Sequence, residues 1–144
     1  MPLLDVQHLS LEFNGKTVLH DISFTLDRGE VKVVMGPSGS GKSTLLRCLN
    51  LLEKPTRGTI LLNGQEITAP GTDACAIRRQ IGFVFQQFGL FRHLDAVHNV
   101  ALAPIKLLKL PRKEALARAE QELARVDMLD HRHKYPAQLS GGQQ

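Results

Sequence analysis

The chain has 144 residues, 42% of them hydrophobic and 22% charged, with a formal net charge of +4. That length supports one domain with a real core rather than two, and the composition is that of an ordinary globular protein. No apolar run approaches the ~20 residues that cross a bilayer, and the N-terminus lacks a basic-then-apolar leader, so the expected location is the cytosol. The basic residues of the second half, among them Arg78, Lys106, Arg112 and Arg125, are scattered without interleaved aromatics. They argue for a solvated face and against a nucleic-acid partner. Cys48 and Cys75 stand far apart in no metal-like spacing and read as buried free thiols.

Leu9, Leu11 and Phe13 alternate with Ser10 and Glu12, the period of a strand with one buried face. Asn14-Gly15 is a turn signal, after which Ile22, Phe24 and Leu26 alternate as a second strand. Phe13 admits two roles, a core side chain, which the spacing favours, or a ring that stacks on a nucleotide base. Asp27-Arg28-Gly29 turns the chain into the apolar run Val31-Lys32-Val33-Val34-Met35, suited to a buried parallel strand.

Next comes Gly36-Pro37-Ser38-Gly39-Ser40-Gly41-Lys42-Ser43, which fits the phosphate-binding pattern G-x-x-x-x-G-K-[ST]. Glycines at 36, 39 and 41 are expected to take positive φ and bring backbone N–H groups close to phosphate oxygens. Leu45, Leu46, Leu49 and Leu52 recur at helical spacing behind them, adding a positive dipole end. A flexible Gly/Ser linker has no reason to lie between a strand and a helix and end in Lys-Ser. By role, Lys42 neutralises the β- and γ-phosphates and the Ser43 hydroxyl ligates Mg²⁺.

Glu53 to Gly58 reads as a loop, Thr59 to Leu62 as a strand closed by Asn63-Gly64, Thr72 to Arg79 as a short helix, and Ile81 to Phe85 as a further buried strand. Gln86 opens an apolar loop in which Phe88, Leu90, Phe91 and Leu94 are either buried locally or presented to a partner. Asp95 is placed to cap a helix whose stripe is Val97, Val100, Ala101 and Leu108, with Pro104 expected to kink or interrupt it. Pro111 opens another helix, with Leu116, Ala119, Leu123 and Val126 on one face and Glu114 paired to Arg118. His131 and His133 lack a nearby third ligand for a metal. Ser140-Gly141-Gly142 forms a second anion nest at the start of a would-be helix.

The phosphate loop, the Gln86 loop and Leu139-Ser140-Gly141-Gly142-Gln143 together resemble the ATP-binding subunits of ABC transporters over the whole chain. Asn50 to Thr56, Ile81 to Phe88, Leu102-Ala103-Pro104 and Tyr135-Pro136-Ala137-Gln138 resemble those of polar amino-acid importers. The resemblance implies an α/β P-loop NTPase (RecA-like) core with an N-terminal antiparallel β subdomain, to about residue 88. A helical subdomain over about 89–144 ends in the signature. ATP and Mg²⁺ are the implied cofactors. One subunit contacts nucleotide through Phe13, Gly36, Pro37, Ser38, Gly39, Ser40, Gly41, Lys42, Ser43 and Thr44. A second, docked head to tail, contributes Ser140, Gly141, Gly142 and Gln143. Ser43 and Gln86 serve the metal, Gln86 also senses the attacking water, and Phe13 matches an adenine-stacking position where the family usually has tyrosine. The implied partners are transmembrane permease subunits touched by the loop after Gln86, with a solute-binding protein for an importer. The implied place is the inner face of the plasma membrane.

Arg92 and Asp95 stand where the subfamily usually has proline and threonine, and Asp127 stands where glycine is common, a mild cost if that position is left-handed. The Walker B strand with its catalytic glutamate and the switch histidine have no match in these residues, so a truncated product or fragment is expected. Hydrolysis by it alone is expected to be very slow. Three alternatives stand beside the importer motor: a non-hydrolysing ATP-binding or interaction module, an ATPase of another ABC system such as lipoprotein export, and a remnant left unstable by an unpaired sheet edge.

Overall fold

Strand β1 (Leu4–Phe13) begins earlier than the alternation after Leu9 predicts, because Leu4 and Val6 also face the core. It pairs antiparallel with β2 (Lys16–Leu26) through Asn14-Gly15, both left-handed at φ 48° and 75°, as a two-residue hairpin turn requires. On its other side β1 pairs antiparallel with β3 (Arg57–Leu62), and Asn63-Gly64 returns the chain into the short β4 (Gln65–Glu66). The four-stranded sheet runs β2-β1-β3-β4. This computed structural model describes residues 1–144, which divide into the units Met1–Phe83 and Val84–Gln144.

Buried positions on β1 run Leu4, Val6, Leu9 and Leu11, so the period of two breaks once. The register shifts at that point, and His8 and Asp21 both take left-handed φ, 52° and 50°. His8 Nδ1 lies 2.7 Å from Asp21 Oδ1, Ser10 Oγ accepts the Asp21 N–H and Ser23 Oγ accepts the His8 N–H. The bulge lets Val6 and Leu9 both enter the core. There they meet Leu11, Leu19, Ile60 and Ile67, with Leu45 and Cys48 from helix α1 (Lys42–Leu49) and Ile77 from α2 (Ala74–Arg78). Each such side chain contributes roughly 1.5–3 kcal/mol by burial.

Two expected strands do not form. Val31 to Met35 has no regular secondary structure and joins no sheet, with Val31 87% and Met35 86% exposed. Apolar content signals burial, whereas a parallel strand also needs a hydrogen-bonding neighbour and cover on both faces. All the strands of this sheet are antiparallel, and none of them pairs with this segment. Its start is fixed by Lys32, whose ammonium donates to the Thr25 carbonyl, lies 3.3 Å from Glu30 and sits over the Phe24 ring. Ile81 to Phe85 is likewise not a strand; Ile81 packs on the core while Val84 is almost fully exposed.

Helix α2 is shorter than predicted and is capped by Asp73, whose carboxylate accepts the Cys75 and Ala76 N–H groups. Cys75 is exposed there, contrary to its sequence reading, while Cys48 is fully buried. Burial, with Glu53 adding negative charge, raises the Cys48 thiol to about 11. The reactive species is the thiolate. A colorimetric thiol reagent is therefore expected to titrate one cysteine in the native protein and the second only after denaturant is added.

In the second unit α3 (Ala96–Lys106) packs on α4 (Arg112–Arg125). Ala96, Val97 and Ala101 meet Ala115, Ala119 and Leu123, and Leu139 closes the cluster. Alanine at facing positions allows close helix approach. Pro104 is accommodated within α3, which ends two residues later, so Leu108 falls outside the stripe and is exposed. Val100 is also partly exposed, and Val126 is exposed at the cap of α4, just before Asp127 turns left-handed at φ 56°. The expected Glu114–Arg118 pair does not form; the ion pairs on α4 are Glu122 with Arg125 and Glu120 with Arg132.

Candidate nucleotide site

The turn from Gly36 into α1 has the local properties of an anion cradle. Gly39 and Gly41 are left-handed at φ 80° and 90°, as their role requires, but Gly36 is not. Gly36 is small for a different reason: a Cβ there would fall 2.8 Å from Ser40 Oγ. Ser40 N–H closes a turn on the Pro37 carbonyl at 3.3 Å. Lys42 Nζ donates to the Gly36 and Pro37 carbonyls at 2.8 and 2.7 Å, placing its positive charge over the loop.

Helix α1 has no side-chain cap and no acidic residue in its first turn. The first amide to bond back is that of Leu45, to the Gly41 carbonyl at 2.8 Å. The N–H groups of Gly41, Lys42, Ser43 and Thr44 therefore have no acceptor in the chain. Four orphan donors, a helix dipole and an ammonium favour a polyanion. A Cβ on Gly41 would meet Leu19 Cδ2 at 3.0 Å and the Val18 carbonyl at 3.1 Å, so the loop is seated against β2. These donors, with the exposed Ser43 hydroxyl as a hard oxygen ligand, fit a Mg²⁺-bound triphosphate. Phe13 ends β1, pairs with Lys16 and is 44% exposed, which overturns the core role that its spacing favoured.

The other predicted residues lie in the second unit. Gln86 is exposed, and Phe88 and Phe91 are half exposed. Asn99 holds the loop's backbone, accepting the Phe91 N–H at 2.8 Å and donating to the Phe91 and Leu94 carbonyls. In the signature, buried Leu139 is the anchor, Ser140 N–H donates to Gln143 Oε1, and the Gln143 and Gln144 amides bond to the Ser140 carbonyl. Gly141 and Gly142 stay exposed, and the Phe88 ring lies 3.9 Å from the position of a Cβ on Gly141.

Sequence reasoning found Asp95 as a cap but missed its partners. Asp95 Oδ1 accepts the His98 N–H at 3.0 Å and lies 2.6 Å from His98 Nδ1; Oδ2 lies 3.4 Å from His133 Nδ1. Arg112 reaches His98 Nε2 at 3.2 Å. The Ala96 and Val97 amides bond the Lys134 and Arg132 carbonyls, tying the approach to the signature onto α3. The Asp-x-x-His spacing signalled the first contact; the His133 contact comes from tertiary structure. Partial burial alone would raise the Asp95 carboxyl, but the His98 amide and the two imidazoles outweigh it and hold the carboxyl below its ordinary range. A depressed carboxylate stabilises the fold above the unfolded pKa of about 4, and that contribution is lost as pH falls through the folded value. Asp95→Ala is expected to cost about 1–2 kcal/mol near neutrality. In thermal melts the gap from wild type should close under acid conditions.

The fold is that of an ATP-binding cassette. The dimeric structure of MJ0796, a bacterial ABC transporter cassette, matches 97% of this chain with a TM-score of 0.86 at 33% identity, over 64% of its own length. A post-hydrolysis dimer of MJ0796 bound to ADP and Pi matches with a TM-score of 0.85 at 32% identity, covering 97% of this chain and 64% of that one. The ABC transporter family model matches residues 19–144, and the chain belongs to that family. It is 48% identical over 98% of its length to the arginine transport ATP-binding protein ArtM of Bacillus subtilis. To the glutamine transport ATP-binding protein GlnQ of Escherichia coli it is 44% identical over 99%. The chain spans about 59% of the length of each of these two relatives.

Proposed function

We propose that this chain is the ATP-binding portion of the motor subunit of an amino-acid importer. The observation that carries the reading is the set of acceptorless N–H groups at Gly41 to Thr44 under the Lys42 ammonium. Its likeness to arginine and glutamine transport ATP-binding proteins supports amino acids as the cargo class.

In this proposal the amides of Gly41 to Thr44 and the Lys42 ammonium hold the β- and γ-phosphates, Ser43 and Gln86 serve Mg²⁺, and Phe13 stacks on the adenine. When bound, ATP with Mg²⁺ supplies a phosphoanhydride whose cleavage drives transport. Ser140, Gly141, Gly142 and Gln143 would serve the nucleotide of a second ATPase subunit, and Phe88 and Phe91 would touch a permease fed by a solute-binding protein. No helix is long and apolar enough to cross a membrane, so the association proposed with the inner face of the plasma membrane runs through those partners.

The test is equilibrium binding of ATP with and without Mg²⁺, together with phosphate release. Mg²⁺ is expected to tighten binding several-fold in the wild type and to lose that effect in Ser43→Ala. Phosphate release by this chain alone should stay near background. Binding indifferent to both Mg²⁺ and Ser43 would rule out the assigned metal role.

A further inference from the structure

The first unit has a second concave site that the nucleotide reading does not use. The loop between α1 and β3 and the loop between β4 and α2 flank a half-open cleft of about 370 Å³. Leu51, Pro55 and Pro70 supply apolar wall, while Lys54 and Arg57 supply positive charge. Its wall is about half polar, and small-molecule pockets of a few hundred Å³ use such convergent polar groups to fix a ligand.

The charge balance sets the ligand class. Neither Lys54 nor Arg57 makes an ion pair or side-chain hydrogen bond, and no acidic residue lines the cavity. The α1 C-terminus, whose carbonyls would repel an anion, is neutralised by Arg78: Nε donates to the Asn50 carbonyl at 3.3 Å and Nη2 to the Leu51 carbonyl at 2.8 Å. Thr56 Oγ1, also in the lining, accepts the Glu12 N–H and keeps its own proton to donate. Of the carboxylates beside lining residues, Asp73 caps α2, Glu66 accepts the Thr68 hydroxyl, and Glu53 precedes Lys54 without forming an ion pair.

We propose that this cavity binds a small carboxylate with an apolar body. The carboxylate lies between Lys54 and Arg57 and the body lies on Leu51, Pro55 and Pro70. A zwitterionic amino acid is disfavoured, because the cavity offers its ammonium no carboxylate. The deaminated 2-oxo acid of the same side chain meets both requirements.

The experiment is a titration of the ¹⁵N-labelled 144-residue chain with 4-methyl-2-oxopentanoate, followed by amide shifts, with leucine and inorganic phosphate as parallel titrants. Saturable shifts are expected over Leu51 to Gly58 and Ile67 to Ala74. Leucine and phosphate should each bind at least about tenfold more weakly. The double variant Lys54→Ala/Arg57→Ala should lose at least about tenfold in affinity for the oxo acid while keeping wild-type ATP binding, which shows that it is folded. Absence of saturable shifts, shifts centred on Gly36 to Thr44, equal binding of leucine or phosphate, or undiminished binding by the double variant would each overturn the proposal. ATP binding is read separately, so failure of this site leaves the nucleotide assignment standing.

Discussion

Gly58→Ala is expected to destabilise the first unit by about 3 kcal/mol, enough to unfold a marginal domain. Gly58, the second residue of β3, has φ 93°, and a Cβ there would fall 2.5 Å from the His8 carbonyl oxygen and 2.6 Å from Leu9 Cα. Those are backbone atoms of β1 at its bulge, and they cannot swing aside as a side-chain tip can. Left-handed strain of about 1–3 kcal/mol and steric displacement of similar size act together. Gly29→Ala separates the two causes, because Gly29 has φ 79° but nothing within 4 Å of the new methyl. Its expected cost is about 1 kcal/mol. Urea unfolding followed by far-UV circular dichroism measures both; equal midpoints for the two variants would contradict the packing argument.

Gly41→Ala is expected to weaken nucleotide binding at least about tenfold and to cost about 1–2 kcal/mol of stability. The position is left-handed at φ 90°, and the added methyl would press on Leu19 Cδ2 and the Val18 carbonyl of β2. Relief of that contact would shift the start of α1, and with it the orphan amides of Lys42, Ser43 and Thr44 that the proposed site depends on. Gly39→Ala meets open space, so it tests the φ requirement without the contact against β2. Affinity from fluorescence titration and stability from unfolding, measured on both variants, distinguish a displaced loop from a merely strained one.

The glycine turn from Gly36 into α1 was legible because its requirements are local: left-handed glycine at 39 and 41, though not at 36, and a helix directly behind. The same holds for the two-residue hairpin turns and for the cap at Asp95, each set by residues three or fewer positions away. Val31 to Met35 and Ile81 to Phe85 were misread because apolar runs report a tendency to be buried. The neighbours a parallel strand needs lie elsewhere in sequence and leave no mark on the run itself. Phe13 and Cys75 failed in the opposite sense: residue types that are usually buried stand at a strand end and at the start of a short helix, where little chain remains to cover them. The bulge at His8 and Asp21 could not be foreseen, since neither residue announces a left-handed conformation and the shift becomes necessary only when β2 and β3 both pair with β1. The His133 contact with Asp95 spans 38 residues and is visible only once α3 and the approach to the signature are folded together.

The most direct test of the central claim is equilibrium binding of a fluorescent ATP analogue with Mg²⁺ to the 144-residue chain and to its Lys42→Ala variant. Charge-assisted hydrogen bonds are individually strong, so loss of the ammonium is expected to weaken binding about 10–100-fold. Saturable binding by the wild type that the substitution removes is the predicted result. Absence of saturable binding by the wild type, or affinity unchanged in Lys42→Ala, would contradict the assignment of Gly36 to Thr44 as a nucleotide cradle.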